Sequence, residues 1–219
     1  KSVAILFSQG DASITNATQF RDQSTELGYD CTAFETFDPG EMDYSAQCIN
    51  IVSTNPDCVF LAVEGDYMGT CVKQLRQYGF EGTIISREEL SIPQQEVAGD
   101  AMNGYAFPSL YVSWPSLEEA KPNVNEQMYS YLESYYNEYG ELPASIWAYE
   151  VWDAMMTLQQ AAKLAGSNDP AALRDAMNQL PYTGIGGPID YTDGRHESYS
   201  ADAFNVFIYE DGKVVSFAK

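Results

Sequence analysis

Short apolar runs alternate with helical stretches over the first hundred residues. Residues 3–7, 31–37, 58–63, 82–86 and 104–107 are of strand length, and 58–63 holds no polar position except its leading cysteine, as expected of a strand buried on both faces. Between them, helical spacing covers 11–27, 44–53 and 67–78. Gly28 and Gly79 stop the first and third of these, and Asn55-Pro56-Asp57 breaks the second. Strand and helix in strict alternation predict an α/β fold, a doubly wound parallel sheet with helices on both faces.

After residue 107 the pattern changes. Prolines at 108, 115 and 122 punctuate a connector over 108–122. Two long helices are predicted over 123–139 and 144–164, and a third over 169–179, opened by Asp169 as cap and Pro170 in the first turn. The runs 204–209 and 214–217, joined by Asp211-Gly212, read as a hairpin. The predicted division is therefore an α/β unit over 1–107, a connector over 108–122, a helical part over 123–190 and a return to the first unit over 191–219. The helical part has broad apolar faces and no buried strand of its own. Association of two chains as a homo-oligomer is one expectation for those faces.

Charge narrows the function. Eleven basic against thirty-two acidic residues leave a formal charge of -21 at pH 7, which repels phosphate backbones and argues against a nucleic-acid partner. No apolar run approaches the roughly 20 residues of a membrane helix. The chain starts at Lys1, without a methionine or a signal-like segment, so a processed or trimmed chain is expected. Cys31, Cys48, Cys58 and Cys71 lack C-x-x-C spacing; they are either disulfide partners in an exported chain or small buried hydrophobes.

Catalytic chemistry finds little support. The single histidine, His196, stands in a polar loop with no G-x-S-x-G elbow before it. Gly184-Ile185-Gly186-Gly187 lacks the Lys and Ser/Thr of a phosphate loop, and Asp190 and Asp193 do not fit an EF-hand. A hydrolase built on Glu88 and Glu89 would lack a nucleophile or metal. The sequence predicts no metal, no cofactor and no enzyme.

Several segments, taken in order, resemble the branched-chain amino-acid-binding family of importer receptors, the type I periplasmic-type solute-binding proteins. Ser2-Val3-Ala4-Ile5-Leu6 is similar to the first strand of that family's second lobe, Asp43-Tyr44-Ser45 to its D-F-S helix start, and Asn55-Pro56-Asp57-Cys58-Val59-Phe60 to a strand entry. Ala98-Gly99-Asp100 with Asn103-Gly104 resembles the approach to an inter-lobe crossover. Ala148 to Ala154 resembles an A-x-x-x-Y-D-A helix, with Trp152 in the tyrosine's place. Gly187-Pro188-Ile189-Asp190-Tyr191 with Asp193-Gly194 resembles a turn motif in which Thr192 replaces an aspartate. The resemblance implies one α/β lobe plus a helical segment of the other, with the sheet of that other lobe absent. It also implies a small polar, amino-acid-like ligand held between lobes, a membrane ABC permease as partner, and an extracytoplasmic location, periplasmic or as a surface lipoprotein. A ligand-sensing receptor domain on the same fold is the alternative.

Ligands of open α/β sheets sit beyond the carboxyl ends of the strands. Three segments qualify: 8–13, 64–67 and 87–89. The resemblance puts the family's ligand-facing tyrosine at Glu64 and its ammonium-binding acid at Glu88. A carboxylate at 64 would favour a cationic or polyhydroxylated ligand. Asp66 and Ser13 are the further candidates in these loops, and Trp147 and Tyr149 are the candidates at the start of the long helix.

Overall fold

The computed structural model describes residues 1–179, 182–192, 199 and 203–217. In chain order its elements are β1 (Ser2–Ser8), α1 (Asp11–Glu26), β2 (Asp30–Phe37), α2 (Ser45–Ser53), β3 (Cys58–Ala62), α3 (Gly65–Gln77), β4 (Thr83–Ser86), α4 (Ile92–Ala98), a 3-10 turn (Gly99–Met102) and β5 (Tyr105–Ser109). There follow α5 (Leu117–Ala120), α6 (Glu126–Tyr139), α7 (Trp147–Ala165), α8 (Pro170–Met177), β6 (Tyr182–Gly184), β7 (Gly187–Ile189), β8 (Asn205–Glu210) and β9 (Lys213–Ser216). Two units form: Lys1–Ser109 with Val206–Lys219, and Leu110–Asn205.

The first unit is built on a seven-stranded sheet in the order β2-β1-β3-β4-β5-β8-β9. Strands β1 to β5 pair in parallel, and β8 and β9 pair antiparallel. This is the predicted α/β arrangement, a mostly parallel sheet with helical crossovers. Alternation along β1 sends Val3, Ile5 and Phe7 to the face where Ala17 of α1 packs, together with Phe60 and Ala62 of β3. Phe20 of α1 stacks on Phe60 with ring centroids 3.8 Å apart. Ala4, Leu6 and Leu61 point the other way and are also fully buried; α2 packs on α3, and α3 on α4. Each such aliphatic or aromatic side chain contributes about 1.5–3 kcal/mol when buried.

Arg76 staples the lower edge of this unit. Its guanidinium donates to the carbonyls of Phe80 and Gly82 at 2.7 Å each, Asn103 at 2.8 Å and Ala101 at 3.4 Å. It thereby ties the end of α3 to the entries of β4 and β5. The β8–β9 turn has φ of 50° at Asp211 and 76° at Gly212, as the Asp-Gly pair predicts for a tight hairpin.

The second unit packs α6 and α7 around Tyr111, Met128, Tyr131, Leu132, Ile146 and Tyr149. Asp169 caps α8 as predicted, accepting from the N–H groups of Ala171 and Ala172 at 3.1 Å. The sequence predicts no strand here, yet β6 and β7 form an antiparallel pair with Gly184 and Ile189 buried. Strands of three residues are too short for alternation to register. The same brevity hides α4, the 3-10 turn and α5.

Asp153 of α7 fixes that hairpin. It is 2% exposed. Its Oδ1 accepts from Ile185 N–H at 2.8 Å, and its Oδ2 accepts from Gly186 N–H at 3.0 Å, Tyr111 Oη at 2.7 Å and Tyr199 Oη at 2.9 Å. A Cβ at Gly184 would collide with this carboxylate, and one at Gly186 with the Tyr111 ring.

Candidate functional site

The order of the sheet reverses at β1: the chain steps from β1 outward to β2, then back across to β3. At such a switch point the crossovers leave on opposite faces, and a crevice opens at the carboxyl ends of the two central strands. Ser8 ends β1, Gly10 is the N-cap residue of α1, and Glu64 is the N-cap residue of α3. Neither Gly10 nor Glu64 gives its helix a side-chain cap.

Instead, the Glu64 carboxylate turns toward the end of β1. Ser8 donates its hydroxyl to Oε2 and Ser13 donates to Oε1 at 3.2 Å, with the two serine oxygens 3.0 Å apart. Both serines are buried. Burial by itself would push the Glu64 carboxyl up. The Ser8 hydroxyl, the residue's own backbone N–H, the Ser13 hydroxyl and the charge of Arg87 together outweigh it and hold the group below its ordinary value. The α3 N-terminus favours the same ionised form. A Cβ at Gly10 would stand on Glu64 Oε1, so glycine there is a condition of this approach.

Glu88 lies two residues past β4 and is 7% exposed. Its backbone is pinned: Ser86 Oγ and Tyr105 Oη donate to its carbonyl at 2.8 and 2.7 Å, and its N–H donates to Ser86 Oγ at 3.2 Å. Arg87 Nε stands 3.9 Å from Glu88 Oε2. A Cβ on Gly65, the residue after Glu64, would lie 3.9 Å from Glu88 Oε1. Asp66 is the second residue of α3. The neighbouring Glu89 is tied to Tyr209, whose hydroxyl donates at 3.1 Å.

In the second unit, Tyr149 is fully buried, with its ring against Tyr111 and Tyr131 at centroid distances of 5.5 and 5.7 Å. Trp147, at the start of α7, is half exposed. A groove of about 450 Å³ runs along α6 and α7, lined by Tyr131, Tyr135, Tyr139, Val151, Trp152 and Met155 among others. His196, Asp193 and Gly194 lie outside the described residues. Among the described residues no helix is long and apolar enough to cross a membrane.

The sequence family described as "Periplasmic binding protein" matches residues 1–207. The chain belongs to the periplasmic binding protein family. It is 26% identical over 179 residues to a Leu/Ile/Val-binding protein homolog 1 of Brucella abortus, covering 81% of this chain and 45% of that one. A homolog 2 from the same organism is 25% identical over 222 residues, 99% of this chain and 56% of the other. This periplasmic binding protein chain thus spans about half the length of the curated relatives it matches. A crystal structure of a leucine-binding protein from Thermotoga maritima superposes with a TM-score of 0.82 at 25% identity, covering 100% of this chain and 60% of that one. A Rhodopseudomonas palustris solute-binding protein in complex with benzoate shares the fold, with a TM-score of 0.78 at 19% identity over 99% of this chain and 57% of that one.

Ser8, Gly10 and Arg87 lie in the segments 8–13 and 87–89 that the sequence marks, but the pattern does not single them out as individual candidates. The signal for Ser8 is slight: a hydroxyl ends an otherwise apolar strand, five residues before Ser13. Its partner, Glu64, is distant in sequence and becomes a neighbour only through the β1–β3 pairing.

Proposed function

We propose that this chain is part of the extracytoplasmic solute-binding component of an ABC importer. It captures an amino acid or similar small polar solute at the β1/β3 crevice and, in the bound form, engages a membrane permease. No chemistry is done on the solute. The ionised, doubly hydroxyl-held Glu64 at the switch point carries this reading, because so exact a placement of a partly buried charge serves recognition more readily than packing. Glu88 and Asp66 are the further proposed contacts, with Ser13 holding Glu64 in position. Family membership supports the importer role and an extracytoplasmic location, periplasmic or lipid-anchored.

The test is calorimetric titration with a panel of amino acids, amines, sugars and aromatic acids, carried to millimolar concentration. At least one class should bind, and Glu88→Gln should weaken it by about tenfold or more. A folded chain that binds no class would sink the proposal.

A further inference from the structure

We infer that the solute is a cation, a small amine or guanidine whose positive group seats against the Glu64 carboxylate. This rests on the reading of the β1/β3 crevice as the solute site. Three observations carry it further. First, the side chains that hydrogen-bond the carboxylate are neutral. Ser8 and Ser13 each donate to one oxygen, and a carboxylate offers about four acceptor positions, so both oxygens keep capacity for a further donor. Among the described residues no lysine, arginine or histidine nitrogen comes within 4.0 Å of it.

Second, the Arg87 guanidinium stands 3.9 Å from Glu88 Oε2, and among the described residues it forms no ion pair with Glu64, in a chain whose formal charge is already -21.

Third, the arrangement penalises neutral ligands. An apolar side chain laid against Glu64 would strip water from an ionised group and return no hydrogen bond, whereas an ammonium or guanidinium supplies both charge and donors. Gly10 preserves this geometry, since a side chain there would displace Oε1. Glu64 is therefore the specificity-determining residue, and Ser8 and Ser13 are its positioning residues.

L-lysine and L-norleucine differ by little more than the terminal ammonium and make the deciding pair. Calorimetric titrations of both into the wild-type chain and into Glu64→Gln should give at least about a tenfold preference for lysine in the wild type. Agmatine and putrescine, which keep a cation without the carboxylate, show whether the cation alone suffices. In Glu64→Gln, with an unchanged circular dichroism spectrum, the preference should fall to about twofold or less. The double variant Ser8→Ala/Ser13→Ala, which leaves the carboxylate in place without its supports, should reduce it partway. Equal binding of norleucine and lysine by the wild type, or a preference that survives Glu64→Gln, would overturn this inference and leave the site reading standing. Binding of nothing at millimolar concentration would overturn both.

Discussion

Ser8 and Glu64 are separated by 56 positions in the chain, and the hydroxyl of the first donates to the carboxylate of the second. The parallel pairing of Phe7 with Ala62 at the ends of β1 and β3 brings the two together. The bond is thus a product of sheet topology, and it makes the charge at the switch point sensitive to acid in a definite sense.

Because the Glu64 carboxyl is held below its ordinary value of 4.5 in the folded chain, its ionised form contributes stability that is present above that value. That contribution is lost as pH falls through the folded value. Cation affinity should be flat between pH 7 and pH 5 and decline below about pH 4.5, while Glu64→Gln should show no such decline. Ser8→Ala should move the decline to higher pH. A titration followed by carboxyl-carbon NMR reads both effects.

Gly10 has extended backbone angles, φ -95° and ψ 148°, which alanine also adopts. The obstacle to Gly10→Ala is Glu64, whose flexible end can swing aside. This variant should keep its thermal midpoint within about 2 °C and lose binding by about tenfold. Loss of stability with unchanged affinity would contradict the placement of Glu64.

Arg76 presents the opposite case. Replacing it with methionine keeps much of the apolar stem and leaves the carbonyls of Phe80, Gly82, Ala101 and Asn103 without their donor. Unfolding of the first unit should become easier by about 2–3 kcal/mol, read as a lower urea midpoint.

Asp153→Asn replaces one accepting oxygen with a donor while four donors converge on the site. The variant should lose about 3 kcal/mol in the second unit, with faster amide exchange at Ile185 and Gly186. Unchanged exchange at those two amides would count against the clamp.

The cysteines should label in two classes. Burial pushes the Cys48 thiol up to about 12 and that of Cys71 well above its ordinary value, so both should resist alkylation until unfolding. Cys31 and Cys58 are partly exposed and should react first, although burial raises them as well. Both are in register with Val3, on opposite sides of β1. Two strand spacings put them roughly 9–10 Å apart, beyond disulfide reach. Mass spectrometry of timed alkylation checks the order.

Much of the fold was legible because the alternation of apolar strands and amphipathic helices over the first hundred residues is regular, and because caps such as Asp169-Pro170 and turns such as Asp211-Gly212 have local causes. The β6–β7 pair was not legible: its strands owe their existence to Asp153, held by contacts with residues 32 and 33 positions later. The candidate site divides the same way. Glu64 and Glu88 stand out as acids after strands, a local pattern. Ser8, Gly10 and Arg87 acquire meaning only when the sheet brings β1, β3 and β4 side by side.

The central claim, that the β1/β3 crevice holds the solute, is tested most directly by titrating L-lysine into the isotopically labelled chain and mapping the amide shifts. The account predicts the largest changes at residues 8–13, 64–67 and 87–89. Changes concentrated along the α6–α7 groove, or none at all at millimolar concentration, would contradict it.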